Sequence, residues 1–188
     1  MSVTIRRRVT LRGLVPIMFD RYAGNNNEQL PTMKKVYVSS EDGKTLVFPS
    51  INLMSFLSAQ NNESAPQRVM GKRWKTVCKA AASYVQIEPL EIPFLRNGKP
   101  LTIDNANLRV HFAVARMRKG PLIIPNPKER PVMDCPWSLA FDVSLFETTD
   151  LSEEVLKKLF EQGGMAIGLG TWRGVFGKFA VEKWEETE

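Results

Sequence analysis

Gly163-Gly164-Met165-Ala166-Ile167-Gly168-Leu169-Gly170-Thr171-Trp172-Arg173-Gly174-Val175-Phe176-Gly177-Lys178-Phe179 holds six of the twelve glycines of the chain in seventeen residues. Glycine costs backbone entropy, so such a cluster marks places where φ must be positive or where backbones approach closely. Upstream, Leu151, Val155, Leu156, Leu159 and Phe160 form one apolar stripe at helical spacing. Asp150 and Glu153 fit a capping box, and Gly163 or Gly164 sits where a C-cap belongs. Downstream, Val175, Gly177, Phe179 and Val181 alternate with Phe176, Lys178, Ala180 and Glu182, which is strand period. The stretch therefore reads as helix, glycine loop carrying Trp172 and Arg173, then strand from about 174 to 183. A glycine loop with a cation and an aromatic suits a polyanion backbone; it equally suits a tight connection whose glycines only permit packing.

The 188 residues are enough for one domain with a real core. A net charge of +6 and a pI near 9.4 favour a polyanionic partner. The first eight residues are charged, with no apolar core, and do not read as a signal peptide. No apolar run approaches the roughly 18 residues of a membrane span. Cys78 and Cys135 lack a CxxC spacing and read as buried thiols of a reducing cytoplasm. With one histidine, a structural zinc site is not expected, nor is any cofactor.

Residues 3 to 14 read as the first strand. Val3, Ile5, Val9 and Leu11 share one face, with Arg7 as the exception; Thr4, Arg6, Arg8, Thr10 and Arg12 share the other. A loop follows, with Asn25-Asn26-Asn27 expected to be mobile. Lys35 to Phe48 reads as a hairpin turning at Asp42-Gly43. Gly43-Lys44-Thr45 is not a phosphate loop: the first glycine of that motif would fall at Val38, and the triplet lies in a hairpin turn. A short helix over Ile51–Ala59, capped by Ser50, precedes a second over about 67–84. In the second, Trp74, Val77, Cys78 and Ala81 face inward and Lys72, Lys75 and Lys79 outward.

Residues 88–107 read as irregular, with three prolines. Leu108, Val110, Phe112 and Val114 alternate with Arg109, His111, Ala113 and Ala115 as a strand. Trp137, Leu139, Phe141, Val143 and Leu145 alternate likewise with Ser138, Ala140, Asp142 and Ser144. Between these strands, Met117–Pro136 carries Arg118, Lys119, Lys128, Arg130 and five prolines, a basic insertion projecting from a hairpin tip. The same prolines also suit a surface loop.

The order is strand, helix, strand, strand, helix, strand, which predicts an α+β ferredoxin-like domain: an antiparallel β-α-β-β-α-β sheet with two helices on one face. One domain over 1–188, with insertions at about 15–49 and 117–136, accommodates the whole chain. The other sheet face would present Arg6, Arg8, Arg12, Arg109, His111, Phe176 and Lys178, opposed only by Asp142 and Glu182. A basic sheet bearing an aromatic receives single-stranded nucleic acid by phosphate contact and base stacking. The aromatic pattern of an RNA-recognition motif is absent, since Arg109, His111 and Ala113 occupy that strand.

This topology, the hairpin insertion and the closing Gly168-Leu169-Gly170-Thr171-Trp172-Arg173-Gly174-Val175-Phe176-Gly177-Lys178-Phe179 resemble the repeat-associated mysterious protein (RAMP) superfamily. Its signature is a glycine-rich loop after the last helix, running into a Gly-basic-Phe strand; Trp172 departs from that pattern. The resemblance is to backbone subunits of CRISPR effector complexes in antiviral defence. It implies polymerisation along guide RNA, contacts with other effector subunits, and a thumb-like hairpin at Lys35–Phe48 or Met117–Pro136. The phrase Gly13-Leu14-Val15-Pro16-Ile17-Met18 and the chain's ending also resemble phage proteins of similar length.

Some members of the superfamily cut RNA with a histidine and others with an aspartate and a metal after the first strand, so His111 and Asp20 are the catalytic candidates. Neither has an evident acid–base or carboxylate partner in sequence. Asp20 otherwise makes a turn or pairs with Arg21 or a nearby lysine. The expected function is a non-catalytic protein binding single-stranded RNA or DNA and assembling side by side along it. A ribonuclease and a structural phage protein are the alternatives. The expected contacts are Arg6, Arg8, Arg12, Arg109, His111, Arg118, Lys119, Gly168, Gly170, Trp172, Arg173, Phe176 and Lys178.

Overall fold

The alternation of apolar and basic residues at the start of the chain produces β1 (Thr4–Gly13), with Val9 and Leu11 fully buried and Arg6, Arg8 and Arg12 exposed. The computed structural model describes residues 4–25 and 28–187. Val3, Asn26 and Asn27, on which expectations were placed above, lie outside the described residues.

β1 is flanked by β10 (Phe179–Glu186) and β9 (Ser138–Phe146), both antiparallel to it. On its far side β9 pairs with β4 (Val85–Glu88) and then with β5 (Glu91–Arg96), two halves of one strand interrupted at Pro89-Leu90. β3 (Val47–Pro49) and β6 (Lys99–Pro100) extend the sheet beyond β5. The order β10-β1-β9-β4/β5 is that of a ferredoxin-like α+β fold.

The second core strand is therefore Val85–Arg96, not the segment from 107 to 116. Val85, Ile87, Ile92 and Phe94 carry its buried face. Its prolines gave it an irregular reading, yet Pro89 only marks the break between the two halves. Arg109–Lys119 (β7) instead pairs along its whole length with Leu122–Met133 (β8) in a separate hairpin. The base of the hairpin is anchored by β2 (Ile17–Met18), whose partners are Met133 and Val132. The projecting element is thus longer than the expected insertion and includes Arg109 and His111. Strand period reports that β7 has two faces, not that either is in the core: Val110, Phe112 and Val114 are at least half exposed.

Helices cover one face of the sheet. α1 is Ser50–Ser58, α2 Ala65–Val69, α3 Trp74–Tyr84 and α4 Glu153–Ala166. Pro49, not Ser50, is the N-cap of α1, and Ser50 is buried in the first turn. The single helix expected over 67–84 is broken by a 3-10 turn at Gly71–Arg73, where Gly71 has φ +53°. Val77, Cys78 and Ala81 face the core as expected, while Trp74 is only half buried. Cys135 is exposed, against expectation, because it lies in the turn entering β9. Phe56, Phe141, Phe160 and Phe179 pack ring against ring at 5.6–5.9 Å between helices and sheet.

The N-cap of α4 is Ser152, whose hydroxyl accepts from the Val155 amide at 3.4 Å, and Asp150 takes no part. Glu153 is drawn away from a capping role by Arg7, the exception on β1. The guanidinium donates to both carboxylate oxygens at 2.7 and 3.0 Å, and the Trp184 indole N–H donates to Oε1 at 2.8 Å. One ion pair so ties β1, α4 and β10 together. Gly163 and Gly164 lie inside α4, not at its end. A Cβ at Gly163 would stand 2.5 Å from that of Ala65, so the glycine admits α2 at close range.

Candidate nucleic-acid interface

α4 stops at Ile167, and the glycine loop then folds back on itself before β10 begins at Phe179, five residues later than the alternation implied. Leu169 N–H donates to the Gly177 carbonyl, and Gly174 N–H to that of Ile167. Two further bonds fasten the loop to the segment after β1: Thr171 N–H to Met18 O at 3.0 Å, and Gly177 N–H to Pro16 O at 2.8 Å. At Gly170 (φ +80°) a Cβ would lie 2.5 Å from Met18 O, so this glycine serves the connection. The packing reading of the glycines thus holds for Gly170 and Gly177, whose missing side chains face protein backbone.

The side chains of the loop behave differently. Trp172 sits at φ +54°, a conformation that costs a bulky residue about 1–3 kcal/mol and persists only where its surroundings hold it. Its indole receives the Arg130 guanidinium of β8 at 5.5 Å and the edge of His111 at 6.2 Å. Phe176 packs on the other side of His111, at 5.4 Å. Arg130 in turn donates to Asp20 Oδ2 at 2.8 Å, and Lys35 Nζ lies 4.0 Å from Oδ1. Loop, hairpin base and first insertion are thereby clamped together. The ring of His111 is a packing element of this clamp, and Asp20 is its counter-ion. A metal at Asp20 would have to displace two cations, so the donor set does not fit one. Among the described residues there is no group of three or more His, Cys, Asp or Glu side chains placed to hold a metal.

Arg173 points the other way. A cavity of about 310 Å³ opens between loop and helices, lined by Arg173, Thr171, Asn52, Ser55, Asn62, Tyr37 and Asp20. Arg173 is half buried, and among the described residues it has no hydrogen bond or ion pair; burial alone lowers its pKa from the usual arginine value. A desolvated guanidinium without a carboxylate is an unmet demand for an anion. Asn52 and Ser55 were not singled out from sequence, although their spacing of three on a helix places them on one face. Arg130 and Lys35 escaped because no local pattern links them to Asp20.

The open face of the sheet is not the basic surface expected. Because β4 rather than β7 neighbours β9, Arg109 and His111 are elsewhere and Glu88 takes a place on the face. Arg6 lies 3.7 Å from Glu88, Arg8 3.0 Å from Asp142 and Arg12 3.9 Å from Glu182. Each arginine has its own carboxylate, which leaves little net field. Arg109 is likewise held by Asp134 at 3.0 Å. Phe176 and Lys178 belong to the loop, not to a strand, and Gly168 packs on the Gly177 backbone. Arg118 is exposed near the hairpin tip beside Lys119, whose side chain lies outside the described part. The structure so brings together Trp172, Phe176 and His111, sets Arg173 on the cavity beside them, and separates Arg6, Arg8, Arg12 and Arg109 from that group.

Fold and site together define a ferredoxin-like α+β protein whose inserted hairpin is clamped to a glycine loop. No family model and no curated protein matches the sequence. Among solved structures, the chain is similar to a chain in the cryo-EM structure of the Type III-B Cmr-beta bound to cognate target RNA. The TM-score is 0.58 at 9% identity, over 97% of this chain and 60% of that one. The likeness is one of fold. Among the described residues no helix is long and apolar enough to cross a membrane.

Proposed function

We propose that this chain, as one domain, is a non-catalytic RAMP-type protein that binds single-stranded RNA and assembles side by side along it, in the manner of a CRISPR effector backbone subunit. The observation that carries the reading is Arg173, an unpaired, half-buried guanidinium at a polar cavity. It supports a phosphate there, with Asn52, Ser55 and Thr171 as neutral donors. The hairpin Arg109–Met133 corresponds to the thumb that the resemblance implies, with exposed Arg116 and Arg118 toward its tip. Trp172 and Phe176 offer rings at its base. That the similar fold occurs in an assembly bound to target RNA supports RNA over DNA as ligand. The engagement of Asp20 by Arg130 and Lys35, and of His111 by two aromatic rings, speaks against the ribonuclease reading.

Arg173→Ala tests this reading. A charge-assisted bond is worth about 1.5–3 kcal/mol, so affinity for single-stranded RNA should fall roughly tenfold to a hundredfold. The melting temperature should hold, because the side chain has no protein partner to lose. Affinity of the wild type should also fall with salt, with a log–log slope of about −0.7 per phosphate neutralised. Unaltered binding by Arg173→Ala would place the ligand elsewhere. Magnesium-dependent cleavage that is lost in Asp20→Asn would restore the ribonuclease reading.

A further inference from the structure

Two sheet edges stay open among the described residues, and they carry opposite charge. In the hairpin, the Pro131 carbonyl accepts from Phe19 N–H at 3.0 Å and the Glu129 carbonyl from Lys35 Nζ at 2.8 Å. The odd-numbered residues of β8 therefore turn their backbone groups away from β7. Pro125 and Pro127 continue that row without an N–H, which closes this edge to further strands.

The edge of β7 has no such protection. By the same register its even-numbered residues, Val110, Phe112, Val114, Arg116 and Arg118, turn N–H and C=O outward. Val110, Phe112 and Val114 are 50, 62 and 52% exposed. β7 contains arginines, a lysine and no acid. A long, unblocked edge of this kind is a template for another strand.

The second open edge is that of β10, which pairs only with β1. Thr187 N–H donates to the Arg6 carbonyl, so Glu185 and Lys183 also face β1, while Trp184 and Glu186 turn their backbone groups outward. Glu182, Glu185 and Glu186 make this strand acidic, and Glu186 is 84% exposed.

We infer that the β7 edge of one copy adds as a strand to the β10 edge of the next, so that the hairpin joins copies of this chain head to tail. The inference rests on the assembly reading above and names the surface by which assembly occurs. Backbone pairing supplies the attraction, and the charges supply the sense. Two β7 edges would oppose cation to cation and two β10 edges acid to acid, so the symmetric pairings are disfavoured. The mixed pairing is heterologous and does not close, which extends a row along a strand of RNA.

Two variants test it by sedimentation on poly-U and by binding to a short oligouridine. Val114→Pro removes one outward N–H at a position type where β8 already holds prolines. Glu185→Lys with Glu186→Lys reverses the charge of the β10 edge. Wild type is expected to form a series of species that lengthens with the RNA, and amides of Val110, Phe112 and Val114 to gain protection from hydrogen exchange. Both variants are expected to bind the short oligomer as wild type does and to lose the series. Should Val114→Pro melt early, the charge reversal decides. A series undiminished in the charge-reversed protein, or one formed with the β7 amides still exchanging, overturns the edge pairing and leaves assembly standing. A wild type that forms no series overturns both.

Discussion

Gly177→Val is expected to lose about 3 kcal/mol or more of stability, among the largest effects of any single substitution here. Gly177 has φ +74°, which a β-branched residue adopts only at a cost of about 1–3 kcal/mol. A side chain would add a collision with the Leu169 carbonyl oxygen, itself part of a backbone. The backbone groups of Gly177 hold both Pro16 and Leu169, so moving it to relieve the collision breaks two hydrogen bonds. For a chain of this size, a melting temperature lower by roughly ten degrees follows from about 2–4 °C per kcal/mol. Gly174→Ala is the control: φ is +91° there, but a Cβ would meet nothing within 4 Å. It should lose only the conformational part. If both variants melt together, the close approach is not what fixes this glycine.

Glu153→Leu is expected to cost about 2–3 kcal/mol, somewhat below the range for a fully buried pair, since the two side chains are 20 and 28% exposed. The loss leaves the Arg7 guanidinium and the Trp184 indole N–H without their acceptor in a partly dry seam between β1, α4 and β10. The contribution depends on pH. The hydrogen bond from Arg7, and then that from Trp184, holds the Glu153 carboxyl below the usual glutamate value, against the opposing effect of burial. A carboxyl with a depressed folded pKa stabilises fully above its unfolded pKa, near 4.3, and that stability is lost as pH falls through the folded value. Wild type and Glu153→Leu should therefore differ most at neutral pH and converge under acid conditions. Denaturant unfolding at several pH values measures this; a gap independent of pH would mean that packing of Glu153, not its charge, carries the cost.

Much of the fold was legible locally. The two-residue period of Val9 and Leu11, and of Trp137, Leu139, Phe141, Val143 and Leu145, marked side chains that are all buried. The turn at Asp42-Gly43 was legible too, because one carboxylate accepts from Lys44 N–H, Thr45 N–H and the Thr45 hydroxyl within three residues. That Asp42 carboxyl is held at about 2, chiefly by the Thr45 hydroxyl. Caps were less legible: Ser152 rather than Asp150 starts α4, since Glu153 finds Arg7 across the fold.

The sequence by itself determined the element types, the inward faces of β1 and β9, the α+β order and a glycine loop with Trp172 and Arg173 upon it. Only the tertiary structure decided which strand lies beside β9. The period of a strand depends on its own residues, whereas its neighbour depends on distant ones. Val85–Arg96 in that place, instead of Arg109–Lys119, moves Glu88 onto the open face and neutralises what looked like a basic sheet. The same limit governs charge at the site. Asp20 and Arg173 are each a lone charge in sequence, but folding brings Arg130 and Lys35 to the carboxylate and brings no acid to the guanidinium. An ion pair is a property of two chain segments in space, so only the fold could show that Arg173 is the cation left open to a ligand.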